Sequence, residues 1–115
     1  MWSPPNIKPD NLRGAQRKRV LMSAVVCDDQ GRQIQDCTLR DVSESGARIG
    51  FARMARPLQT LFLINVRERI VHRARLIWHN GFEAGIAFTG TTPLSSVADP
   101  SLSFLRKLWM DRAAR

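Results

Sequence analysis

The chain has 115 residues, enough for one domain with a modest core and too few for two. It is 43% hydrophobic and 24% charged, an ordinary balance for a soluble globular domain, and no stretch approaches the roughly 18 apolar residues of a membrane span. The formal net charge is +8, and every basic residue except Lys8, Lys18 and Lys107 is arginine. Arginine carries a planar fork suited to phosphate and to flat rings, although GC-rich coding produces the same bias.

The elements follow in chain order. Residues 1–12 hold Pro4, Pro5, Pro9, Asn6, Asp10 and Asn11, and lack the apolar core of a secretory signal; the expectation is a flexible leader on a cytoplasmic protein. A basic cluster then runs from Arg13 through Arg17, Lys18 and Arg19 into a first strand at residues 20–27. Asp28 to Gly31 reads as a turn, and residues 33–42 alternate as a second strand. The segment Ser43-Glu44-Ser45-Gly46 must turn, and residues 47–51 resume as a short strand. Residues 61–66 form a continuous apolar run, short enough for a buried strand. Ile70, His72, Ala74, Leu76 and Trp78 alternate with Val71, Arg73, Arg75 and Ile77, which predicts a long half-buried strand with Trp78 in the core. Asn80-Gly81 is the strongest hairpin signal, and its partner strand is expected over residues 82–88.

Six strands with short turns and no crossover helix predict an all-β, six-stranded antiparallel barrel. Residues 89–98 read as a polar linker. Asp99-Pro100 starts a helix over residues 100–113, with Leu102, Leu105, Leu108 and Trp109 on one face. That face is expected to dock across an end of the barrel, with a dimerisation surface as the alternative. The division is a leader at 1–12, a barrel at 13–98 and a helical tail at 99–115.

Motifs for catalysis are missing: there is no nucleophile elbow, no zinc-protease helix and no phosphate loop. His72 and His79 stand at no ligand spacing from Cys27 or Cys37, so no metal is expected. The cysteines are expected as reduced, packed thiols. The chain reads as a binder rather than an enzyme.

Two segments carry the binding chemistry. Arg13-x-x-x-Arg17 can wrap a phosphorylated ligand and order on contact. In Asp41-x-Ser43-x-x-Gly46, the acid and the hydroxyl can offer acceptors to a base edge, and the glycine admits a close approach. In this order and spacing the pair resembles the PilZ domain family, and the similarity continues through Ala47-Arg48-Ile49, residues 74–78 and residues 83–88. The resemblance implies a six-stranded barrel that binds cyclic di-GMP. By it, Arg13 and Arg17 would hold phosphates and stack on guanine, Asp41 and Ser43 would contact a guanine edge, and Gly46 would shape the turn. Lys18 and Arg19 are secondary candidates. Binding would reorder the N-terminal segment and change the surface shown to an effector protein.

Many relatives carry the second arginine immediately before the first strand, a register that would select Arg19 and put Ala15 at the first arginine position. Other relatives have lost the motif and act only as protein-interaction modules, the alternative function here. A nucleic-acid-binding barrel would interleave aromatics with basic residues on an exposed face, and three Trp, five Phe and no Tyr give little for that. A monomer or weak homodimer is expected.

Overall fold

The computed structural model describes residues 18–54 and 58–114, with side chains from residue 21 onward. The strands are β1 (Lys18–Cys27), β2 (Gln35–Val42), β3 (Gly46–Gly50), β4 (Thr60–Asn65), β5 (Ile70–His79) and β6 (Glu83–Pro93). They close into a barrel in the order β1-β2-β3-β6-β5-β4, with every neighbouring pair antiparallel. Closure leaves no edge strand, as the six-strand pattern predicts.

Side-chain alternation divides the apolar residues into two layers. One set, including Val26, Leu39, Ile49, Leu63, Ala74 and Ile86, fills the barrel interior. The other, Val25, Cys27, Phe62, Ile64 and Val71, points outward from β1, β4 and β5 and is covered by Leu94 and Leu105. Strands buried on both faces need apolar residues at every position, which accounts for the uninterrupted run Leu61-Phe62-Leu63-Ile64.

The cover is α1 (Phe104–Ala113). The helix lies on the side of the barrel, not across its end. The reason lies in the outward apolar set of β1 and β4, which a helix at the barrel mouth would leave in water. Polar contacts fix its placement. Trp109 Nε1 donates to the Val66 carbonyl at 2.9 Å, and Arg112 Nε donates to Asp36 Oδ1 at 2.8 Å. The helical segment is also broken: residues Pro100–Leu102 form a 3₁₀ turn, capped by Asp99 Oδ1 accepting from Ser101 N at 2.9 Å.

The segment expected as a polar linker continues β6 to Pro93 and then forms a 3₁₀ turn at Leu94–Ser96. Its strand character comes from pairing, since Gly90 to Pro93 face Arg73 to Ile70. The polarity that suggested a linker reflects exposure of this end of the strand.

At the same end, His72 is buried and stacks on Phe88, with 3.8 Å between ring centroids and 7° between planes. Its Nδ1 lies 2.8 Å from Thr91 Oγ1. Burial pushes the imidazole down to about 4, so it is neutral at physiological pH.

Candidate functional site

Two irregularities in the ladders build the site. On β2, Leu39 pairs with Ile49 and Asp41 with Arg48, so Arg40 is an extra residue. On β5, Leu76 pairs with Ile86 and Trp78 with Gly85, so Ile77 is extra. Each bulge reverses the alternation beyond it. Strict alternation from Leu39 would send the Asp41 carboxylate into the apolar interior; the bulge puts it on the outer side with Arg48. The same shift moves Trp78 out of the core assigned to it by alternation, and the indole is 42% exposed.

Across β3, β6 and β5 the outer face is then a grid. One row is Arg48, Gly85 and Trp78, and the next is Gly46, Ala87 and Arg75. The centre, at Gly85, is covered by the indole of Trp78. Trp78 lies against Gly85 so closely that a β-carbon there would stand 2.1 Å from its Nε1. Above this floor is a cavity of about 690 Å³, walled by Ser43, Ser45 and Arg48 on one side and by Ile77 and Trp78 on the other. That volume suits a small-molecule site.

The motif turn forms one wall. Ser43 N donates to the Gly46 carbonyl at 2.9 Å, closing the turn, and Ser45 N donates to Ser43 Oγ at 3.2 Å. The Ser43 hydroxyl therefore organises the turn as well as lining the cavity. Gly46 is required by close approach, since a β-carbon would fall 2.2 Å from the Ile86 carbonyl oxygen, a backbone atom of the adjoining strand.

Beside the turn runs a chain of charges. Asp41 is only 5% exposed, and its Oδ2 accepts from Arg48 Nε at 2.6 Å. Arg48 Nη1 donates to Glu83 Oε2, and Glu83 also lies 3.8 Å from Arg40 Nε. The Asp41 hydrogen bond is the main influence raising the Arg48 pKa, which keeps the guanidinium charged at every relevant pH. This clamp holds Arg48 rigidly on the cavity wall between two carboxylates.

Of the candidates read from the sequence, Ser43 and Gly46 line the cavity, whereas Asp41 does not line it and is joined to it through Arg48. In the β1 ladder, Lys18 pairs with Val42 and Arg19 with Asp41. Arg13 and Arg17 lie outside the described residues. Sequence reasoning missed Arg48, Trp78 and Gly85 as wall and floor. A bulge signal would have been needed to turn Asp41 and Trp78 outward, and an unbroken alternation offers none. Among the described residues no group of three or more His, Cys, Asp or Glu side chains is placed to hold a metal ion, and no helix is long and apolar enough to cross a membrane.

Comparison with known proteins finds a match to the family described as PilZ domain over residues 11–97, well over half of the chain. No curated protein matches the chain.

Proposed function

The chain belongs to the PilZ domain family, and from that premise we propose that it is a non-enzymatic receptor for cyclic di-GMP, acting in the cytoplasm on an effector protein. The observation that carries this reading is the cavity over Gly85 and Trp78, with the Ser43 to Gly46 turn as its wall. The missing side chain at Gly85 lets the Trp78 indole lie across the strand as the floor, and a planar base can stack on it, an interaction worth roughly 1–3 kcal/mol.

Phosphate is the second half of the ligand, and the arginines supply the charge for it. Lys18 pairs with Val42, so the arginine-bearing segment joins the barrel one residue from Ser43. Arg13 and Arg17 then take the two phosphates, with Lys18 and Arg19 adding positive charge. The start of β1 at Lys18 supports this register, in which Arg17 comes just ahead of the first strand. Asp41 and Ser43 contact a guanine edge, and Gly46 keeps the turn close to the barrel. Closure of the N-terminal segment over the ligand alters the surface around the cavity, where Ile77 and Phe82 are already exposed and open to an effector.

Calorimetric titration of the full chain with cyclic di-GMP, using GTP and cyclic AMP as controls, tests the proposal. Saturable heat with the cyclic dinucleotide alone is expected. If none appears at high micromolar concentration, the chain is an interaction module of the same fold. Replacing Arg17 by alanine should cost roughly 1.5–3 kcal/mol of binding, the range for a hydrogen bond to a charged group. If Arg19→Ala removes binding while Arg13→Ala and Arg17→Ala do not, the register is the other one.

A further inference from the structure

We infer that Arg48 determines specificity at this site by reading the O6 and N7 acceptors of a purine stacked on the Trp78 indole, so that guanine is selected over adenine. The inference rests on the cyclic-dinucleotide reading above and adds to it a residue outside both arginine and Asp-x-Ser motifs.

Three observations lead there. First, Arg48 is held, not free to sweep: Nε is bonded to Asp41 and Nη1 to Glu83. These bonds use two of the five N–H donors of a guanidinium and leave three for a ligand. Secondly, Arg48 lines the cavity. Its ladder partner Gly85 is covered by the Trp78 indole, which brings the ring to about one strand spacing, roughly 5 Å, from the Arg48 position. A purine stacked on the indole would therefore direct one edge at the guanidinium. Thirdly, the chemistry is polar in one sense. Guanine presents two adjacent acceptors, O6 and N7, to which an arginine fork fits, whereas adenine replaces O6 with an N6 amino donor that would face Arg48 donor to donor.

Asp41 cannot supply this selectivity towards N7. A carboxylate only accepts hydrogen bonds, and N7 has no hydrogen to give. The atom N7 therefore separates direct recognition by Arg48 from an effect transmitted through the Asp41 ion pair.

The test uses the full chain, wild type and Arg48→Met, titrated with cyclic di-GMP, its bis-7-deazaguanine analogue and cyclic di-AMP. In the wild type, loss of N7 should weaken binding by about tenfold, within the range for one good base contact, and cyclic di-AMP should bind more weakly still. In Arg48→Met the parent and 7-deaza ligands should bind equally, and the preference over cyclic di-AMP should shrink by a similar factor. If Arg48→Met keeps the wild-type ratio between parent and 7-deaza ligands, Arg48 does not read the base and the inference fails, even with cyclic di-GMP binding intact. Equal wild-type affinity for those two ligands overturns it as well. Absence of any wild-type binding instead removes the receptor reading itself. Circular dichroism of Arg48→Met confirms that the barrel compared is folded, and Arg48→Leu, which also has no donor, provides a second variant with the same two outcomes if it is not.

Discussion

The barrel has two contrasting outer faces. On β1, β4 and the start of β5 the ladders are in register and the outward residues Val25, Cys27, Phe62, Ile64 and Val71 are apolar. That face is covered by α1. Across β3, β6 and the end of β5 the outer face carries the small residues Gly46, Gly85 and Ala87, with the Trp78 indole over Gly85, flanked by bulges in β2 and β5, and open. Regular pairing with apolar residues on both sides makes a surface that must be covered. Bulges and glycines make a concavity and aim a guanidinium and an indole around it, with the Asp41 carboxylate holding the guanidinium. One face supports stability, while the other gives up packing to form a site.

The largest expected effect breaks the covered face. Leu105 is 1% exposed at the centre of the helix contact. Leu105→Ala should destabilise by about 2–5 kcal/mol, the range for truncating a buried leucine, measured as a shift in urea midpoint. Cyclic di-GMP affinity of the folded fraction should remain within about twofold, because separated sites couple by only about 0.3–0.5 kcal/mol. A loss of affinity matching the loss of stability would show that the two faces are not separable.

The interior shared by both faces responds to pH through His72. Its folded-state pKa, about 4, lies below the ordinary value of 6.5. Between those values the unfolded chain takes up a proton that the folded chain does not, so stability falls as the pH drops from 6.5 towards 4 and this contribution then levels off. At about 1.4 kcal/mol per pKa unit the loss reaches about 3 kcal/mol. Other acids titrate nearby, so the measurement is a difference: urea unfolding of wild type and His72→Phe at pH 7 and pH 4.5. The variant should show the smaller fall, and equal falls would refute the assignment to His72.

A smaller effect should mark the open face. Gly46→Ala forces a β-carbon against the Ile86 carbonyl. It should cost about 1–3 kcal/mol of stability, as overpacking does. It should also weaken nucleotide binding, since the displaced turn carries Ser43 and Ser45. This is the reverse of Leu105→Ala, where stability moves and binding does not. Calorimetry and urea unfolding on the same preparation would separate the two.

The barrel was legible in the sequence because most strands obey simple rules. The alternation in β2, the Asn80-Gly81 turn and the apolar run of β4 each point to their element without tertiary information. The Asp41, Ser43 and Gly46 motif was legible too, since its spacing is local. What alternation could not give was the orientation of residues beyond a bulge. Asp41 and Trp78 are each reached across one extra residue, and nothing about Arg40 or Ile77 marks it as extra. The side-on position of α1 followed from a pattern that was visible but read for burial alone: a continuous apolar run in β4 implies a layer on both sides. The threonines at positions 89, 91 and 92 looked like a linker because they are polar, although their β-branching favours a strand.

The smallest expected effect concerns the cysteines, and the two faces explain why. Cys27 points outward into the layer beneath α1, whereas Cys37 points into the barrel. Cys37 is paired across the ladder with Ala24, three residues from Cys27. That offset is roughly 10 Å along a strand, beyond the roughly 7 Å that a disulfide spans between α-carbons. Both thiols are free and buried, and burial is the main cause that pushes each up to about 12. Thiolate is the reactive form, so at pH 8 only about one molecule in ten thousand carries it at either site by the ordinary titration relation. Reducing agent should leave the melting temperature unchanged. Labelling by a thiol reagent at pH 8 should proceed at the rate of unfolding, accelerating with urea and with Leu105→Ala. Fast labelling of Cys27 alone in the native protein would mean that α1 lifts from the barrel while the interior stays closed. The covered face would then be the more labile of the two.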